Sequence, residues 1–284
     1  MQQQVRELVN RIQDDFESGK LKVPSLPEVA ININKYIGDP NANIANMSKV
    51  IQMDPALAAR LVQVSNSAAY AGHNPVDNCR SAVARLGMTT TRNLVMSLAL
   101  GQSFQIGSAI VRDIARATWN KSSEVAAISY VLAKVTMGML PDKALLAGLV
   151  HNIGAIPILR YVADYPDLNK NRVLINELIH CLSSKLGSRV LRQWSFDEDS
   201  VEIPMQLNNH QYKPDKAINY VDLVIVANVH SQFGKDNQDG SALLNIASFR
   251  KLPLFQTGPD ASIELLCEAR DEINTMTKIL SSVA

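Results

Sequence analysis

The sequence predicts an all-α protein, and three observations carry that prediction. Glycine and proline number 13 and 12 of 284 residues and aromatic residues are 5%, and Gly plus Pro below the usual roughly 12% disfavours a turn-dense β architecture. Apolar residues recur at three- and four-residue spacing, the period of a helix with one buried face. Helix starts also recur in one chemical form, a polar cap or a proline in the first turn: Pro27-Glu28, Asp54-Pro55 and Pro141-Asp142, each followed by an apolar periodic run.

In chain order, Val5, Leu8, Val9, Ile12 and Phe16 make a short amphipathic helix that stops at Gly19, a residue suited to the left-handed position after a helix. Residues 20–25 read as extended. Gly38-Asp39-Pro40-Asn41 and Gly72-His73-Asn74-Pro75 have turn chemistry with no strand beside them. Ser65-Asn66-Ser67 interrupts an apolar run with side chains that bond their own backbone, which predicts a helix end or a bend there. The polar stretch Gln232 to Gly240 reads as a linker, and Ile263, Leu266, Cys267, Ile273, Met276 and Leu280 as one final amphipathic helix opened by Gly258-Pro259-Asp260. The expected organisation is an N-terminal helix over 1–19, a helical body over 20–231 and a C-terminal helical segment over 232–284.

Composition narrows the function classes. With 28 Lys plus Arg against 27 Asp plus Glu, the chain as a whole has no charge with which to attract nucleic acid or an anionic membrane, so neither is an expected partner. Cys79, Cys181 and Cys267 are odd in number and about a hundred residues apart, which fits neither a disulfide framework nor a zinc knuckle and suits a reducing cytoplasm. The stretches Leu94 to Gly101 and Ala144 to Val150 are the most apolar, and each is shorter than the roughly 20 residues that cross a bilayer. No basic segment leading into an apolar one opens the chain, so export is not expected.

Candidate chemistry begins where Ala144 to Val150, apolar on every side, runs into His151-Asn152-Ile153-Gly154. An imidazole and a carboxamide at the end of a buried helix need partners, because an unsatisfied buried polar group costs about 1–3 kcal/mol. His151 reads either as a satisfied core residue or as part of a site. On an earlier helix Ile114, Ala117, Val125, Ile128, Leu132 and Val135 keep helical spacing with Lys121 in the vacant step; its ammonium either reaches water along an aliphatic stem or lies near His151. His210 follows Ile203 and Leu207 at helical spacing, past Pro204. His73, His180 and His230 read as surface or packing residues.

Ordered motifs lie upstream: Pro24-Ser25-Leu26-Pro27-Glu28-Val29-Ala30, Asp54-Pro55-Ala56-Leu57-Ala58-Ala59-Arg60-Leu61, Ser65-Asn66-Ser67-Ala68-Ala69-Tyr70, and Ala82-Val83-Ala84-Arg85-Leu86-Gly87-Met88 with Arg92-Asn93-Leu94. Over about residues 20 to 230 the chain resembles the HDOD group, the HD-related output domains of bacterial signalling proteins within the HD phosphohydrolase superfamily. The resemblance implies an HD-domain-like helical bundle with an N-terminal helical half over about 20–108 and an HD-like half over about 109–231. Catalytic HD proteins hold divalent metal through an early-helix histidine, a His-Asp pair, further histidines and a late aspartate. Those positions fall here on Lys121, His151, Asn152, His210 and Asn228. Two carboxylates become amides and one imidazole becomes a cation, which disfavours a divalent ion electrostatically. No catalytic residue, metal site or cofactor is therefore expected. The expected function is a non-catalytic regulatory module acting on signalling proteins, with a second copy of the chain among the partners considered. The alternative is a divergent metal-dependent phosphohydrolase acting on a nucleotide or another phosphoester, and only that reading calls for a divalent metal. The sequence also leads us to expect Lys121 to donate to the Asn152 side-chain oxygen or to nearby carbonyls.

Overall fold

The computed structural model describes residues 2–21, 23–35, 42–213, 217–233 and 241–282. Among them there is no strand, and the fold is all-α. The sequence-predicted loop at Gly38 to Asn41, and all of the predicted linker after Phe233, lie outside the described residues.

The N-terminal half comprises α1 (Gln2–Glu17), α2 (Glu28–Lys35), α3 (Ile44–Gln52), α4 (Pro55–Ser65), α5 (Cys79–Leu86) and α6 (Met88–Gln102). Its helix starts follow the residue chemistry: Asn43, Asp54 and Asn78 each accept a backbone N–H three residues ahead, and Pro55 occupies the first turn of α4, where its missing N–H costs nothing. Helix α4 ends at Ser65, where Ser65 and Ser67 bond back to the carbonyls of Val62 and Val64. Asn66 then clamps the Val76 backbone from both sides, at 2.7 and 2.9 Å, while Arg85 Nη1 donates to the Asn66 side-chain oxygen and to the Ser65 carbonyl at 3.1 Å each. The Arg92-Asn93 pair works in the same way, joining α6 to Asn34 of α2 at 2.9 Å and to Asp142 at 3.3 Å. These motif residues are clamps on the frame.

The second half is built around α7 (Ala109–Lys134), followed by α8 (Pro141–Val150), α9 (Ala155–Ala163), α10 (Arg172–Gln193), α11 (Glu198–Gln206) and α12 (Tyr220–His230). Every residue of α12 is buried, as are eight of the ten in α8. The predicted stripe on α7 needs correction at Ala117 and Val135, which are exposed, while Trp119, outside the stripe, is fully buried. The cause is packing: from Ser122 to Ala133 α7 is enclosed on nearly every side, so a single 3-4 stripe understates its buried face.

Two glycines set how closely these helices approach. A Cβ on Gly148 would lie 2.5 Å from Ala126 Cα, and one on Gly154 would lie 1.9 Å from the Ser183 carbonyl oxygen; neither distance is tolerable, so α8 seats directly on α7 and the start of α9 on α10. The stretch Pro141–Ala163, which takes in α8, the turn at 151–154 and α9, is long and apolar enough to cross a membrane by length and composition, and is longer than either segment the sequence suggested. Of its apolar window 89% is covered by the rest of the fold, as a core segment would be.

The C-terminal segment contains α13 (Ser241–Leu244), two short 3-10 turns, α14 (Pro259–Glu268) and α15 (Arg270–Ser281). The single final helix expected from the sequence is thus two, divided at Ala269. The division follows from different surroundings: α14 buries only Ser262, whereas α15 buries Met276, Ile279 and Leu280 against α7, and the Leu280 carbonyl accepts from Trp119 Nε1 at 2.9 Å. Lys134 meets Glu272 at 2.9 Å along the same seam.

Candidate functional site: the HD-like centre

Three helices supply the centre. Lys121 lies midway along α7, His151 caps α8, and Asn228 and Ser231 stand at the end of α12. His151 is 2% exposed. Its Nδ1 lies 2.6 Å from the Gly148 carbonyl, and a carbonyl only accepts, so Nδ1 carries the proton. Nε2 therefore presents a lone pair, and the Asn152 side-chain nitrogen donates to it at 2.7 Å. Both ring nitrogens are engaged. Burial pushes the His151 pKa down to about 4 and the nearby charge of Lys121 pushes the same way, against the Gly148 hydrogen bond, which favours the charged form. The imidazole is neutral near pH 7.

The Lys121 ammonium donates to Ser231 Oγ, and that hydroxyl donates onward to the Asn228 carbonyl at 2.7 Å. A relay of this kind suits the carboxyl end of α12, where unsatisfied carbonyls carry partial negative charge. Lys121 is half-buried, while Ser231 and Asn228 are 2% and 7% exposed. In place of the expected bond between Lys121 and the Asn152 oxygen, the structure pairs Lys121 with Ser231 and Asn152 with His151. Ser231 was missed by sequence reasoning; the signal for it was a hydroxyl one turn beyond Asn228, at the end of an otherwise apolar helix.

His210 does not join this group through any described contact. Helix α11 ends at Gln206, just after Pro204, and the Asn209 side chain organises the turn by donating to Gln206 and accepting from Gln211 N–H, which leaves His210 exposed. Helical spacing from Ile203 to His210 was misleading because that turn intervenes. Among the described residues, no three His, Cys, Asp or Glu side chains gather as metal ligands. A divalent ion of the HD kind does not fit this donor set: the His151 lone pair is taken, the neighbouring group is a cation, and the carboxylate positions hold amides.

The sequence matches the HDOD domain family model over residues 23–211. The chain belongs to the HDOD family. A crystal structure of a candidate metal-dependent phosphohydrolase from Shewanella amazonensis is 26% identical, covers 97% of this chain and 99% of its own, and superposes with a TM-score of 0.83. An HDOD domain protein of unknown function from Geobacter sulfurreducens is 21% identical over 98% of this chain and 99% of its own, at a TM-score of 0.72, and shares the fold. Among curated proteins, an uncharacterised one from Treponema pallidum is 23% identical over 250 residues, which is 82% of this HDOD chain. The chain spans about half the length of that relative, 46%.

Proposed function

We propose that this HDOD protein is a non-catalytic, cytoplasmic signalling module, which keeps the HD-like frame but works by binding other proteins. The observation that supports it most is the state of His151. The nitrogen lone pair that a divalent ion would take accepts a hydrogen bond from Asn152, and the tautomer is set by Gly148. With Lys121 beside it, the centre holds its helices together through hydrogen bonds and a protein-borne cation. Without a metal to lower the pKa of water, a hydroxide nucleophile is hard to generate near neutral pH, and no described carboxylate stands in the group to act as a base.

A second reading, a divergent metal-dependent phosphohydrolase, draws on the description of the Shewanella protein. Assays with phosphomonoesters, phosphodiesters and cyclic dinucleotides, with manganese, nickel, iron or zinc, separate the two. We expect no turnover above that of a His151→Ala control. Turnover that disappears in the control establishes the second reading.

A further inference from the structure

Between α1, the turn after α6 and α9 lies an open cavity of about 1050 Å3. Three cations line it, Arg11, Lys20 and Arg160. On the other side of the same turn, a smaller cavity of about 420 Å3 shares Gln105, Ile106 and Gly107 as a wall and adds Arg112 and Arg116. The shared wall is closely fitted. Gly107 has φ +74, and a Cβ there would come within 3.0 Å of Val111 and 3.2 Å of Ala163, so the turn passes tightly between α7 and α9 and separates the two hollows.

The carboxylates in the larger cavity are Asp15 and Asp164. Asp15 is already engaged: Lys20 lies 3.8 Å away, and the Tyr161 hydroxyl donates to it at 3.3 Å. Arg11 is held in place, its guanidinium 5.1 Å from the Tyr165 ring centre and one N–H donating to the Tyr165 hydroxyl at 3.2 Å, while Tyr165 packs against Tyr161 at 4.8 Å. A guanidinium has five N–H donors, so most of those on Arg11 remain for a ligand. Arg160 and Arg116 make no hydrogen bond or ion pair among the described residues. The result is a concave surface of fixed and free guanidinium groups whose positive charge exceeds its negative charge.

We infer that this cavity binds a small soluble molecule carrying phosphate, with Arg11 and Arg160 as its principal contacts and Arg112 and Arg116 extending the positive field. Planar guanidinium forks match phosphate oxygens two at a time, and a guanidinium pre-set by an aromatic ring loses less freedom on binding. The volume, about 1050 Å3, exceeds what a phosphate group alone occupies and is just above the range for sites that hold whole metabolites, about 300–1,000 Å3. The site is independent of the reading given to the HD-like centre, since it shares no residue with it.

Calorimetric titration of the full chain with inorganic pyrophosphate tests the inference, alongside Arg11→Gln, Arg160→Gln and, as a charge-matched control outside both cavities, Arg80→Gln. Saturable binding is expected, weakened at least about tenfold by each of the first two changes, the scale of one lost charge-assisted contact, and unchanged in Arg80→Gln. Circular dichroism confirms that the variants remain folded. Sedimentation with phosphatidylcholine vesicles containing phosphatidic acid distinguishes a lipid headgroup from a free phosphate, and no vesicle capture is expected. Absence of pyrophosphate binding, equal weakening by Arg80→Gln, or capture by vesicles without pyrophosphate binding overturns the assignment.

Discussion

The two ends of α12 solve the same problem in opposite ways. At its start, Asp222 is fully buried and fully partnered: it accepts from Asn219 N–H at 3.1 Å, from Ser248 Oγ at 2.7 Å and from the Lys251 ammonium at 2.9 Å. At its finish, where the family resemblance places a metal-binding aspartate, the chain has Asn228, and the nearby lysine reaches a hydroxyl and, through it, a carbonyl. The first end shows that this fold readily buries a carboxylate when a cation and hydrogen bonds surround it. A carboxylate could therefore be accommodated within this helix, and the amide at 228 is a chemical choice at that site rather than a general intolerance of charge.

The largest effect expected from this contrast is at the first end. Asp222→Ala strips Lys251 of its partner and removes the capping box of α12, and should cost about 3–5 kcal/mol. Denaturant unfolding measures it, and a loss below about 1 kcal/mol breaks the contrast.

Acidification comes next. His151 and His230 both have pKa values lowered to about 4 from 6.5, chiefly by burial, so between these values the unfolded chain binds more protons than the folded one. Stability should then be complete above about pH 6.5 and fall as pH drops towards 4, by up to about 3 kcal/mol for each histidine. His151→Asn should flatten this part of the stability profile by about half. An unchanged slope would mean that His151 is not a buried neutral imidazole.

Lys121→Met should have the smallest effect. The lysine's bond to Ser231 ends on a neutral hydroxyl, and losing one such net hydrogen bond costs about 0.5–1.5 kcal/mol, so a smaller loss than at Asp222 is expected. Because the Lys121 charge helps to depress His151, its pKa should also rise above about 4, as an NMR titration would report. A fall would place the ammonium elsewhere.

The same contrast separates what was readable from the sequence from what was not. The helices were legible because their caps are local: Asp54-Pro55 and the stop at Ser65 to Ser67 need only neighbours a few residues away. Lys121, His151, Asn152 and Asn228 could be placed through ordered motifs, and the structure gathers them at the junction of α7, α8 and α12. Their pairing was not legible. It depends on the close seating of α8 on α7 that Gly148 permits, where an added Cβ would fall 2.5 Å from the Ala126 Cα, and on a serine that becomes a relay only when α12 meets α7. His210 failed for the complementary reason, since an Asn-organised turn broke a spacing that looked helical. The division at Ala269 was likewise invisible, because it reflects which surface each half covers.

The claim that this centre carries its own cation in place of a metal is tested most directly by calorimetric titration with manganese and zinc, on the unmodified chain and on a variant combining Lys121→His, Asn152→Asp and Asn228→Asp. These changes free the His151 lone pair, remove the ammonium and restore two carboxylates. The account predicts no saturable binding by the unmodified protein and clear binding by the triple variant. Tight binding by the unmodified chain, or none by a folded triple variant, would contradict it.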